Sequence, residues 1–265
     1  MTLFEAIILG IVQGLTEFLP VSSSGHIELG AYLFGIESAE NLLFTIIVHA
    51  ATALSTIVVF RKDILEVFRD LFEFKWNEGT QFALKILLSM IPIGIVGILY
   101  EDEISAFFGG NIMFVGVMLL VTALLLTFSH YAPKKEGVVT FPKALLIGVA
   151  QTIAIFPGLS RSGTTISIAL LAGVSKERAA RFSFLMVLIP ILGGSFLQLL
   201  EYMEDPSIGD GISGVSLIGG FLAAFVAGLV ACVWMINIVK RGKLIYFAIY
   251  CAIVGVLAIL GGIYL

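Results

Sequence analysis

Long apolar runs, separated by short connections that hold nearly all the charge, constrain this chain more than any other feature. Six segments, Leu42–Phe60, Ala83–Tyr100, Ile112–His130, Phe182–Leu200, Val215–Val239 and Leu244–Leu265, are candidate spanning helices. About 20 apolar residues cross the roughly 30 Å of bilayer hydrocarbon. A soluble globule needs a charged skin, and with 59% hydrophobic and only 13% charged residues this chain cannot supply one. The expected class is an all-α polytopic membrane protein. A net charge of −4 and the lack of a basic patch exclude a nucleic-acid binder. Disorder, a coiled coil and a disulfide scaffold are excluded too, and Cys232 and Cys251, both inside apolar runs, read as free buried thiols. Met1 to Phe18 lacks a basic leader and carries Glu5, so a cleavable signal peptide is not expected.

Four further apolar stretches are too short, or polar at one end, to span: Thr2–Phe18, Ser24–Phe34, Phe141–Phe156 and Gly163–Val174. They form two pairs, 2–35 and 141–174, each joined by a polar tip: Leu19-Pro-Val-Ser-Ser-Ser-Gly25 and Pro157-Gly-Leu-Ser-Arg-Ser-Gly163. Each pair reads as a re-entrant hairpin, since irregular backbone at membrane depth needs protein or water to satisfy it.

The basic residues orient the chain. Arg61, Lys62, Arg69, Lys75 and Lys85 lie in or beside one connection, Lys134, Lys135 and Lys143 in a second, Lys176, Arg178 and Arg181 in a third, and Lys240, Arg241 and Lys243 in a fourth. The others are acidic: Glu37 and Glu40; Glu101, Asp102 and Glu103; Glu201, Glu204, Asp205 and Asp210. Threading six spans through these loops alternates sides without a violation, with basic loops cytoplasmic and both termini outside. Of the 15 basic residues, only Arg161 is left unexplained by topology.

An offset of 138 residues aligns Gly10 with Gly148, Gln13 with Gln151, Phe18 with Phe156, Ser22 with Ser160, Ser24 with Ser162 and Gly25 with Gly163. The predicted architecture is two repeats, 1–132 and 133–265, in one membrane domain. Each is a hairpin followed by three spans, so the second is inverted, with the tips meeting near the midplane.

Arg161 at that depth is costly, about 2.5–3.5 kcal/mol on insertion scales, and calls for a partner. Two readings stand: an ion pair with Glu17, or a clamp for an anion. Ser160, Ser162, Gly163, Thr164 and Thr165 surround it at a helix start, where free N–H groups and the helix dipole favour anions, and this supports the clamp. In the first tip, Gln13 and Glu17 share one helix face. Glu17 can accept a proton or hold a divalent cation, Ser22, Ser23 and Ser24 offer hydroxyls or cap the next helix, and His26 can carry protons. His49 and His130 read as packing residues, and neither Glu5 nor Glu28 receives a role.

Gln13-Gly-Leu-Thr-Glu-Phe-Leu-Pro-Val-Ser-Ser-Ser-Gly-His26 and Pro157-Gly-Leu-Ser-Arg-Ser-Gly-Thr-Thr165 together resemble the bacitracin-resistance type of undecaprenyl-diphosphatase, and the likeness runs over the whole chain, including Val48-His49 and the helix end at Arg61. The resemblance implies removal of the terminal phosphate from undecaprenyl diphosphate, which recycles the lipid carrier for envelope glycans. It also implies a divalent cation, Mg²⁺ or Ca²⁺, and a site open to the outer face of the cell membrane. A second copy of the chain is a further expected partner. It marks Glu17, Ser23, His26, Arg161 and Thr165 first, with Gln13, Ser160 and Ser162 behind them. Where the family motif begins with Glu or Gln this chain has Gln13, so Glu17 is the motif's only carboxylate. The expected chemistry has Arg161 and the second tip holding the diphosphate, and Ser23 or a water it positions attacking phosphorus. Glu17 or His26 is the base.

The competing reading is a polyprenyl-phosphate flippase, since inverted repeats with paired hairpins are a transport architecture. A carrier has little use for an acid–base pair beside a nucleophile. The acid-phosphatase type of lipid phosphatase is excluded, because its histidine position falls on non-histidine residues after Arg161.

Overall fold

A computed structural model describes residues 1–34, 38–100, 103–104, 107, 111–133, 135–204 and 212–264. Lys134, Glu37, Glu101, Asp102, Asp205, Asp210 and Leu265, all used in the sequence reading, lie outside these residues. Among the described residues there is no strand beyond an isolated bridge between Gly137 and Val174. The helices are α1 (Leu3–Phe18), α2 (Ser23–Phe34), α3 (Ser38–Val59), α4 (Arg61–Phe72), α5 (Glu78–Leu99), α6 (Ile112–His130), α7 (Phe141–Ile153), α8 (Arg161–Leu171), α9 (Lys176–Met186), α10 (Leu188–Glu204), α11 (Gly214–Arg241) and α12 (Ile245–Tyr264). Among the described residues, five stretches are long and apolar enough to cross a membrane, and a sixth counts if the bent α3–α4 pair is taken as one.

Local chemistry sets most boundaries. Thr2 and Glu5 close a reciprocal capping box on α1, which gives Glu5 a structural role. Asn77, Asn111 and Ser213 accept backbone N–H bonds at the starts of α5, α6 and α11. Gly242, at φ 69°, ends α11 in the left-handed conformation. Two expectations need correction. The span expected at 182–200 begins a turn and a half earlier at Lys176, and its helix is interrupted at the single residue Val187, because Pro190 has no N–H to give Met186. The basic connection after residue 60 contains α4, bent 74° from α3. Its Leu65, Phe68 and Phe72 are exposed beside Arg61, Lys62 and Arg69, an amphipathic pattern suited to a helix lying in the membrane interface.

Helices approach closely where both lack bulk, as membrane packing requires. In α1, a β-carbon at Gly10 would sit 2.4 Å from the Gly220 carbonyl oxygen of α11. In α7, one at Gly148 would sit 2.4 Å from the Ser89 carbonyl oxygen of α5, and α6 meets α12 at Gly116 and Gly255 in the same way. So each hairpin's first helix is pressed against a long helix from the other half of the chain.

The basic connections gather at one end of the bundle. Arg181 pairs with Asp63 at 2.6 Å, Lys240 pairs with Glu177 at 2.6 Å, and Arg178 donates to the Glu136 carbonyl at 3.3 Å. Lys85 and Trp76 both rest on Phe141. The four basic connections are therefore linked to one another through these contacts.

The two tips touch. A β-carbon at Gly25 would lie 3.0 Å from the Gly158 Cα, and Ser162 donates to the Leu19 carbonyl at 3.3 Å. Gly158 has φ 91°, and a β-carbon there would fall 2.4 Å from the Val115 carbonyl oxygen. Gly158→Ala should therefore destabilise the protein by at least about 2 kcal/mol, seen as a lowered melting temperature in detergent. An unchanged melting temperature would show that this turn is not held as described.

Candidate active site

The site grows from two turns that repeat one local pattern. In the first, Ser22 caps α2 by accepting the Gly25 N–H at 3.2 Å, and its hydroxyl lies 3.4 Å from that of Ser24. In the second, Ser160 caps α8 by accepting the Gly163 N–H at 3.1 Å, with its hydroxyl 3.4 Å from that of Ser162. Ser22 holds φ 70°, a left-handed conformation that a non-glycine residue adopts only when its surroundings impose it. Thr122, fully buried on α6, steadies the second tip by accepting the Ser160 N–H at 2.9 Å and donating to the Gly158 carbonyl at 3.3 Å.

Between the turns sits a buried charge cluster. Arg161, the first residue of α8, pairs through its guanidinium with one oxygen of Glu17 near the end of α1, 144 residues away. The other Glu17 oxygen accepts from Ser23 Oγ at 2.7 Å and from Gln13 Nε2 at 3.0 Å. The Gln13 side-chain oxygen, Oε1, is buried without a hydrogen-bond partner. Both readings of Arg161 meet here: the ion pair forms, and it forms at a helix start among hydroxyls. The adjoining cavity, about 10 Å³, is lined by Glu17, Thr56, Arg161, Ser162, Ser183 and Phe184 among others, and holds no more than one water.

Gln13, Glu17, Ser23, Arg161 and Ser162 thus come together. Ser160 is spent on its cap, and Gly163 gives its N–H to that cap. Thr165 donates to the Arg161 carbonyl at 2.8 Å and meets Ser183 of α9, so its hydroxyl supports the arginine's backbone. Thr164 is buried with an unpartnered hydroxyl. His26 lies on the same turn with Nδ1 on the Ser22 carbonyl at 2.8 Å and Nε2 on the Tyr250 hydroxyl at 2.7 Å.

His49 corrects the reading of it as a packing residue. Its Nδ1 is held by the Thr45 carbonyl at 2.8 Å, and its Nε2 faces the Glu17 carboxylate at 3.9 Å. Helical periodicity in α3 places His49 on a face, but nothing in sequence tells that this face meets α1. His130 is exposed at the end of α6, beside Tyr131 rather than in the core. Tyr250, Thr122 and Ser183 were not singled out from sequence either. Each lies in an apolar or polar run without a motif of its own.

The fold and this cluster define a multi-pass membrane protein with a Glu17–Arg161 ion pair and two serine-rich turns buried between two hairpin tips. Residues 6–257 match the family of bacitracin resistance protein BacA, and the chain belongs to that family. It is 56% identical over 257 residues to the undecaprenyl-diphosphatase of Bacteroides fragilis, covering 97% of each chain. It is 55% identical over 260 residues to that of Parabacteroides distasonis, covering 98% of each. Against the undecaprenyl-diphosphatase of Salinibacter ruber it is 40% identical over 267 residues, covering 96% of this chain and 97% of the other.

Proposed function

We propose that the protein hydrolyses undecaprenyl diphosphate to the monophosphate and inorganic phosphate. The observation that carries this reading is the 2.7 Å bond from Ser23 Oγ to Glu17, with the Glu17 carboxylate paired to Arg161 of the facing tip. A nucleophile, a base and an anion binder in one contact are what phosphoryl transfer needs, since its catalysis is mostly positioning and charge neutralisation. A flippase has no use for the Ser23–Glu17 bond. The names borne by the relatives agree with the hydrolase reading.

The cavity holds about one water, so the headgroup enters by taking Arg161 from Glu17. The guanidinium then grips phosphate oxygens, and the released carboxylate takes the Ser23 proton. Ser23 Oγ bonds to the terminal phosphorus as the anhydride P–O bond breaks, and undecaprenyl monophosphate departs with the bonding pair. Water then cleaves the phosphoserine, releasing inorganic phosphate and restoring Ser23. Arg161 and the positive end of α8 steady the developing charge.

The donor set does not fit a divalent ion held by protein alone. Glu17 is the cluster's only carboxylate and is already engaged on both oxygens, and among the described residues no group of three His, Cys, Asp or Glu could hold a metal. The steps above therefore pass through no ion. Titrating Mg²⁺ or Ca²⁺ into substrate-free protein should reveal no site tighter than about millimolar, the range of weak, low-charge sites. A micromolar site lost in Glu17→Gln would overturn this.

The gathered basic connections support a cytoplasmic placement for that end of the bundle, with both termini outside and the site reached from the outer face. The test of function is phosphate release from undecaprenyl diphosphate by purified protein in detergent. Turnover is expected in the wild type and undiminished in Lys240→Ala, whose side chain binds Glu177 at the bundle's end. A folded sample without turnover would overturn the hydrolase reading.

A further inference from the structure

Tyr250 lies near the start of α12, 224 residues from His26 in sequence, yet its hydroxyl is 2.7 Å from His26 Nε2. The two rings stack at 5.6 Å between centroids with planes 13° apart. The neighbouring Cys251 thiol points to the Pro20 carbonyl at 3.6 Å. Two successive residues of α12 therefore grip the first tip on both sides of the serine run.

The hydrogen bonds leave a single solution for the ring. A carbonyl oxygen only accepts, so Nδ1, at 2.8 Å from the Ser22 carbonyl, must carry a proton. In the neutral ring Nε2 then holds a lone pair, and the Tyr250 hydroxyl must donate to it. If Nε2 gains a proton, the same hydroxyl turns and accepts. Tyr250 can thus hold the imidazole plane in either charge state, and both ring nitrogens are committed to protein groups.

We propose that Tyr250 is a positioning residue for His26: it selects the Nδ1–H form, whose bond to the Ser22 carbonyl holds the turn that presents Ser23 to Glu17, and His26 serves the reaction only in that arrangement. This rests on the hydrolase reading for its kinetic consequence, but the claim about the ring stands apart from it. Orientation of an imidazole by a hydrogen bond to its far nitrogen is a general requirement for histidines in acid–base or hydrogen-bonding roles.

The test pairs spectroscopy with kinetics on the full-length protein. With ¹⁵N-histidine labelling the chain gives signals from only three histidines, assignable through His26→Gln and His49→Gln. His26 should show a protonated Nδ1 and a hydrogen-bonded, unprotonated Nε2, and Tyr250→Phe should move the Nε2 signal while leaving those of His49 in place. Tyr250→Phe keeps the stacked ring, so melting should be unchanged. It should lower kcat about 10- to 100-fold, with KM little altered. The double variant with His26→Gln should be no slower than His26→Gln alone.

An unmoved Nε2 signal overturns the proposal, whatever the activity. A moved signal with wild-type kcat overturns the positioning role, as does a strictly multiplicative loss in the double variant. Absence of turnover in the wild type would sink the hydrolase reading instead, with the spectroscopic arm still deciding the hydrogen bond.

Discussion

Arg161→Ala is expected to lower kcat/KM by about 10³-fold, the scale on which removing a charge-stabilising donor acts. Two separate losses combine in this result. The substrate phosphate loses its guanidinium, and Glu17, with a side chain only 3% exposed, loses its paired cation. Breaking a buried pair on one side typically costs about 3–5 kcal/mol of stability. The two effects separate in Arg161→Ala combined with Glu17→Gln, which should recover much of the melting temperature and none of the turnover. Arg161→Lys keeps the charge but not the two-point grip, and should fall between wild type and alanine. Wild-type rates in Arg161→Ala would remove the second tip from the reaction.

Ser23→Ala is the second decisive change, with a loss of turnover of about 10⁴-fold or more expected for a missing nucleophile. The substitution leaves Ser22 to cap α2 and leaves Arg161 paired with Glu17, so folding and headgroup binding should persist. Acid quenching of wild-type protein during turnover of substrate labelled in the terminal phosphate should leave label on the chain. Ser23→Ala should leave none. Turnover within about tenfold of wild type in Ser23→Ala would mean that water attacks directly. Equal labelling of both proteins would point to another acceptor.

Much of this arrangement is legible from charge and apolar length alone. The bounds of α6 coincide with the expected Ile112–His130 span, and both hairpins and their tips fall where short apolar stretches flank Ser- and Gly-rich turns. Arg161 stands out because no topological role accounts for it, and Glu17 because it is a carboxylate in an apolar helix. Both signals are local. His49 and Tyr250 needed knowledge of which helix faces which, and that depends on packing between segments separated by tens to hundreds of residues. The capping role of Ser160 was likewise invisible, since a serine in a glycine-rich turn suits a cap and a ligand equally well. Helix α4 was hidden by its own charges: Arg61, Lys62 and Arg69 mark a connection, while Leu65, Phe68 and Phe72, which share one face with Arg61 at its start, give it a helix's spacing.

The contact between Glu17 and Arg161 joins two hairpins that are not interchangeable. At the offset of 138 residues, Glu17 stands opposite Ile155 and Ser23 opposite Arg161. A complex of two first halves would bury two carboxylates facing each other with no guanidinium between them. Two second halves would bury two guanidinium groups with no counter-charge. Only the mixed pairing is neutral, so charge compensation at this point would reject assembly from like halves and tie the stability of the membrane-embedded core to the same two residues proposed for the chemistry.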